Sequence, residues 1–210
     1  MKKALILYGG PEWHSPESMA RFSAEHLLAG FETELSSDLA ILESSRLHEF
    51  DIIIPLWTQG ELQGNMESNL MDAVEKGLGL VSWHGLTGSF NNSLLFKMMI
   101  GGLFVGHPGN FLEYEVLVSN ADPLTEGLSS FSVCSEQYYM LTDPNNEVIA
   151  HTIVNGGNFP WLKGNAMPVA WKRSWGKGRI FYHSIGHYPR ELEIPEVMEL
   201  TIRGIRWAAR

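Results

Sequence analysis

Through its first half the chain alternates short apolar runs with segments of helical period, the pattern of a parallel α/β sheet. Residues 4–8 read as a first strand. Ser15 and Pro16 then offer an N-cap and a first helical residue, and the segment to Leu28 closes at Gly30. A second strand follows over 31–35. Residues 51–56 (Asp-Ile-Ile-Ile-Pro-Leu) form an unbroken apolar run, which predicts a third strand buried on both faces and leading into Trp57-Thr58-Gln59-Gly60. The next helix places Met66, Leu70, Ala73 and Val74 on one face and stops at Gly77. Residues 78–83 are the fourth strand, and 92–100 the helix after it, ended by Gly101-Gly102.

Beyond this point the pattern changes to strands and turns, over 114–119, around 131–140, and over 148–154, 169–174 and 179–185. Trp175-Gly176-Lys177-Gly178 is a hairpin signal between the last two. This half predicts antiparallel or mixed pairing, with 101–168 forming a wall over the sheet edge. Pro195 opens a closing helix in which Met198, Ile202, Ile205 and Ala209 share a stripe. Its acids, Glu196 and Glu199, come early and Arg203, Arg206 and Arg210 late, as the helix dipole favours. No repeat, low-complexity tract or linker interrupts 1–210, so one domain is expected.

Composition narrows the function. Twenty-four acids against fifteen Lys and Arg leave a net charge of −9 with no basic cluster, which argues against nucleic acid or an anionic membrane as partner. Cys134 is the single cysteine. No disulfide, cysteine zinc site or CxxC pair can form, and a reducing, cytoplasmic setting is expected. Cys134, mid-strand and without a base beside it, reads as a small buried hydrophobe. The apolar run after Lys2-Lys3 breaks at Gly9-Gly10, which reads as a strand rather than a signal peptide.

Ligands of open α/β sheets bind outside the carboxyl ends of the strands. At those positions the chain carries His14 after strand one, Trp57 at the end of strand three, Trp83-His84-Gly85 after strand four and Gly186-His187 after the last strand. Histidines with two tryptophans on one rim suit a sugar pocket, since a pyranose stacks on an indole while its hydroxyls need hydrogen bonds. Trp57 and Trp83 equally suit a core, and Trp13, Trp161, Trp171, Trp175 and Trp207 read as structural. His183 alternates inside its strand and reads as a packed core histidine. His107 follows a glycine-rich loop and either shapes the turn or lines the site. Glu136, beside Tyr138 and Tyr139 in a strand-like run, reads as either a solvated edge charge or a buried acid, the second being favoured. Phosphate-binding GxxxxGK[ST], dinucleotide-binding GxGxxG and the GxSxG elbow are all absent. His84, Glu136 and His187 remain, either as general acid and base or, with His84 and His187 as neutral imidazoles, as ligands of one divalent metal such as zinc, manganese or iron. Trp57, Trp83, His107, Tyr139 and His14 are the expected lining.

Four runs, in order, resemble a known family: Gly79-Leu80-Val81-Ser82-Trp83-His84-Gly85, Ile100-Gly101-Gly102-Leu103-Phe104-Val105-Gly106-His107-Pro108, Glu136-Gln137-Tyr138-Tyr139, and the stretch from Trp175-Gly176-Lys177-Gly178 to Gly186-His187. They resemble the ThuA family of trehalose-utilisation proteins. The resemblance implies a flavodoxin-like, three-layer α/β sandwich of the class I glutamine amidotransferase type, with a mostly parallel central sheet and an antiparallel elaboration in the second half. It also implies a role in catabolism of trehalose or a related disaccharide, including keto-sugars, as a hydrolase, isomerase or lyase. Amidotransferases of this fold carry a nucleophilic cysteine in a Cys-His-Gly elbow. Here the run is Trp83-His84-Gly85, so thioester chemistry is unavailable and glutamine hydrolysis is not expected. The other reading is a non-catalytic sugar-binding or regulatory module. In either case the expected partner is a small sugar, with self-association open.

Overall fold

The central sheet of the computed structural model, which describes all 210 residues, has nine strands. In chain order the elements are β1 (Lys2–Gly9), α1 (Pro16–His26), β2 (Phe31–Ser36), β3 (Ile52–Trp57), α2 (Met66–Glu75), β4 (Gly79–Trp83), α3 (Leu94–Ile100) and β5 (Gly102–Gly106). They continue with β6 (Phe111–Val118), β7 (Phe131–Glu136), β8 (Tyr139–Thr142), β9 (Glu147–Ile153), β10 (Ala166–Trp175), β11 (Gly178–His183), α4 (Pro189–Leu192) and α5 (Pro195–Ala208). The sheet order is β2-β1-β3-β4-β11-β10-β9-β6-β7. Pairing is parallel from β2 across to β11 and antiparallel from there to β7. No helix is long and apolar enough to cross a membrane.

Strand alternation divides the interior into two cores. Ala4, Ile6, Ile52, Ile54, Val81 and Phe181 face α1 and α5, whereas Leu5, Leu7, Ile53, Leu80, Ile180 and Tyr182 face α2 and α3. The expected three layers result. The α1 start is also where Ser15 and Pro16 predict it, but Ser15 adopts a left-handed backbone (φ 46°) and its side chain makes no capping bond. On α5 the buried stripe is Val197, Leu200, Thr201, Gly204, Ile205 and Ala208. Of the predicted stripe, Ile205 and Ala209 are buried, whereas Met198 and Ile202 flank the buried face half-exposed.

Gly204 lets α5 lie directly on β11, because a β-carbon there would collide with the Phe181 ring. Gly204→Val is therefore expected to destabilise the protein by about 3 kcal/mol, the upper part of the range for overpacking. That corresponds to a fall in Tm of roughly 6–12 °C for a domain of this size. An unchanged thermal melt would contradict the close contact.

The second half departs from expectation in three ways. Residues 102–106 form β5, which pairs with β8 as a separate two-stranded antiparallel sheet, although the glycines at 101, 102 and 106 make the run read as a loop. The single strand expected over 131–140 is two strands, broken at Gln137. The buried Gln137 amide donates to Thr152 Oγ1 (2.8 Å) and the Ile153 carbonyl (3.1 Å) and accepts from the Asn155 N–H (3.1 Å), which turns the chain out of β7. Finally, β9, β6 and β7 continue the central sheet instead of walling its edge, and Cys134 on the edge strand β7 is exposed, because the inward positions of that strand are Val133 and Ser135.

Candidate metal and substrate site

Five parallel strands deliver their carboxyl ends to one rim, and three of these ends supply a histidine. After β1 the chain makes a 3-10 turn, Glu12–His14, whose last residue is His14. After β4 comes His84, with φ at 49°. A non-glycine residue in the left-handed region marks a strained turn. The elbow of this fold is therefore occupied by His84 itself, with Trp83 still on the strand. After β11 the loop through Gly186 presents His187. Gly186 sits at φ 123° with its α-carbon against the Trp83 indole, so no side chain fits there. Glu136 arrives from the far half of the chain, at the last position of β7.

His84 Nε2 lies 3.1 Å from His187 Nδ1, and each of these nitrogens lies 3.4 Å from Glu136 Oε2. With His14, the ligand atoms of the four residues all fall within 4.8 Å of one another. Ligands bound at zinc distances of about 2.0–2.1 Å to a tetrahedral ion stand about 3.4 Å apart. The separations among His84, His187 and Glu136, 3.1–3.4 Å, are close to that spacing.

Neighbouring bonds set the tautomers. His84 Nδ1 lies 3.2 Å from the Ser184 carbonyl, which only accepts, so Nδ1 carries the proton and Nε2 turns its lone pair into the cluster. His14 Nδ1 meets Thr58 Oγ1 at 2.8 Å. Burial, with His14 and His187 nearby, pushes His84 well below the ordinary histidine range. His14 is pushed down to about 4, chiefly by burial and then by His187. Burial would raise Glu136, but the His187 hydrogen bond and the charges of His107, His187 and His14 outweigh it and hold the carboxyl below its usual range. At neutral pH His14 and His84 are thus neutral imidazoles beside a carboxylate, the protonation states a divalent cation needs in its ligands.

The shell around the cluster is ordered. The Tyr182 hydroxyl donates to the His84 carbonyl (2.6 Å), and Lys97 donates to the carbonyls of Thr87 (2.8 Å) and Ser89, pinning the 3-10 turn His84–Gly88. Glu191, 2% exposed, accepts from the N–H groups of Gly186 (3.1 Å), His187 (3.2 Å) and Tyr188 (3.2 Å) and from Ser135 Oγ (2.6 Å). One carboxylate thus ties the His187 loop to the strand bearing Glu136.

A cavity of ≈350 Å³ opens over the cluster, with His14, Glu136 and His187 among its lining and Trp13, Phe104, Tyr138 and His107 around it. His107 Nε2 lies 3.6 Å from Glu136 Oε1, and Tyr138 Oη lies 3.0 Å from His84 Nε2. Three of the expected lining residues are placed elsewhere. Trp83 is 2% exposed and stacked on the buried His183, with ring centroids 5.9 Å apart. Trp57 packs its ring over Gly9 and, with Trp83, His14 and His84, lines a separate cavity of ≈20 Å³. Tyr139 packs against the α2/α3 core, and the buried Tyr138, a member of that core, is the one whose ring lines the cavity and whose hydroxyl reaches His84. Sequence reasoning passed over Tyr138, Trp13 and Glu191. For Glu191 a signal was present: Tyr188-Pro189-Arg190-Glu191 has Pro at the first helical position and Glu at the third.

Fold and site define an amidotransferase-like α/β protein in which a buried His/Glu cluster stands at the strand elbow. The chain belongs to the ThuA family, described as trehalose utilisation, whose family model matches residues 3–208. No curated protein matches the chain in sequence. Among solved structures it is similar to a ThuA-like protein from Bacteroides uniformis ATCC 8492 (23% identity, TM-score 0.80, 99% of this chain and 91% of that one). It is also similar to a ThuA-like protein from Parabacteroides merdae ATCC 43184 (16% identity, TM-score 0.79, 99% and 89%). A cytoplasmic protein of Salmonella typhimurium LT2 shares the fold (12% identity, TM-score 0.64, 100% of both chains).

Proposed function

We propose that this protein is a cytoplasmic enzyme of disaccharide catabolism, acting on trehalose or a related sugar, including its keto form, at a divalent metal held by His14, His84, Glu136 and His187. The observation that carries the reading is the convergence of four donor atoms of buried or half-buried residues within 4.8 Å, three of these residues, His14, Glu136 and His187, lining a cavity. A nitrogen and oxygen donor set without thiolate suits zinc, manganese or iron. Such an ion, when bound, polarises a sugar carbonyl or hydroxyl oxygen. His107 and Tyr138 flank the cluster, where they orient a sugar oxygen and hold protons at Nε2 and Oη. No cysteine takes part: His84 stands at the elbow, and Cys134 is exposed on an edge strand.

Plasma mass spectrometry of the purified protein tests this. About one zinc, manganese or iron per chain is expected, lost in both His84→Ala and His187→Ala, the stoichiometry of a single site. Turnover of trehalose, sucrose or their keto forms is expected to follow the metal. Wild-type protein that takes up none of the three ions yet converts a keto-disaccharide would overturn the metal and leave an acid-base site. Metal binding with no turnover of any of these sugars would instead favour a binding module.

A further inference from the structure

The cavity over the cluster is sorted by depth. His14, Glu136 and His187 belong to its floor, Phe104 and Tyr138 stand together as an aromatic wall (centroids 4.5 Å apart), and Trp13 lies at its mouth, 60% exposed. At ≈350 Å³ the space is near the lower end of small-molecule cavities, about 300–1,000 Å³, and suits one pyranose ring rather than two. Whatever part of a disaccharide is left outside must pass the mouth.

Trp13 is held there by its backbone rather than by packing. The turn carrying it is closed by bonds from the His14 N–H to the Pro11 carbonyl (3.1 Å) and from the Ser15 N–H to the Glu12 carbonyl (2.8 Å). Its aromatic neighbour is the edge of His14, with centroids 6.3 Å apart at 66°. The next residue, His14, is fixed in the cluster by Thr58, so the indole stands at a set distance from the reacting centre. An exposed indole presents a flat apolar face, and the C–H faces of a pyranose are its complement.

We propose that Trp13 forms an outer sugar subsite, stacking the second ring of a disaccharide whose first ring occupies the cavity at the His/Glu cluster. The inference rests on the sugar reading above and adds a preference: the site selects disaccharides over monosaccharides. Glucose occupies the inner position alone, whereas trehalose spans both.

Calorimetric titration of wild type, Trp13→Ala and Trp13→Phe with trehalose and with glucose tests the subsite. Trehalose affinity is expected to fall about tenfold in Trp13→Ala and to be largely restored in Trp13→Phe, with glucose affinity and Tm unchanged in both. Wild-type affinity for trehalose with no loss in Trp13→Ala, or an equal loss for glucose, would overturn the subsite while leaving the sugar reading intact. Wild-type protein that binds neither sugar nor their keto forms would overturn both.

Discussion

Glu191→Ala is expected to unsettle the fold and the site together. The carboxylate is buried and receives four hydrogen bonds, three from successive N–H groups of the 186–188 loop and one from Ser135. Truncation leaves those donors without their partner. Breaking a buried network of this kind costs about 3–5 kcal/mol, which for a domain of this size lowers Tm by roughly 6–20 °C. Glu191→Gln separates stability from positioning, because it keeps the shape and one acceptor oxygen but turns an amide NH₂ toward donors. Outer-shell partners of metal ligands are worth about 10–100-fold in affinity. For the metal proposed at His187, a loss of that order is expected in Glu191→Gln, measured by competition with a chromophoric chelator. If the glutamine variant loses Tm but binds metal as tightly as wild type, Glu191 is structural and does not position His187.

Acid should destabilise the protein well before its carboxylates titrate, and His183 isolates one proton of that effect. It is fully buried on β11, stacked on Trp83, with Nε2 2.9 Å from Thr201 Oγ1 of α5, and burial pushes its pKa down to about 3. In the unfolded chain the same group titrates near 6.5. Between these values the unfolded state binds a proton that the folded state refuses. Stability is thus complete above pH 6.5 and falls as the pH drops toward 3, by up to about 1.4 kcal/mol per pH unit for one group. His14 and His84 are shifted in the same direction and steepen the wild-type dependence. Urea unfolding of metal-free protein should therefore show the gap between wild type and His183→Gln narrowing by about 2 kcal/mol from pH 7 to pH 5. Parallel pH dependences would mean that His183 is protonated in the folded protein.

Much of the first half was legible because its signals are local. The unbroken Ile52-Ile53-Ile54 run is buried on both faces by the same physics that makes it read as a central parallel strand. The stripe of α2 and the turn at 175–178 are likewise consequences of short-range period and glycine placement. The rim histidines could be found for a related reason. Parallel strands put their carboxyl ends on one side, so His14, His84 and His187 share a rim once the strands are known.

Other features depend on partners distant in sequence. The break at Gln137 exists only because Thr152, Ile153 and Asn155 from the neighbouring segment satisfy its amide. That break decides that Tyr138, and not Tyr139, faces His84. Whether Trp83 is a platform or core was settled by His183 stacking on it, and Trp13 was left at the cavity mouth because nothing packs over it.

By itself, then, the sequence determined the strand and helix alternation, the rim histidines and the missing thiol at the elbow, since each rests on nearest-neighbour sterics, period or residue identity. Only the tertiary structure decided that Glu136 crosses from the antiparallel half to lie 3.4 Å from both His84 and His187, and that one buried carboxylate, Glu191, holds the two sides in place. Contacts across 50 to 100 residues are set by sheet order, and sheet order is a global minimum of packing that no local window encodes.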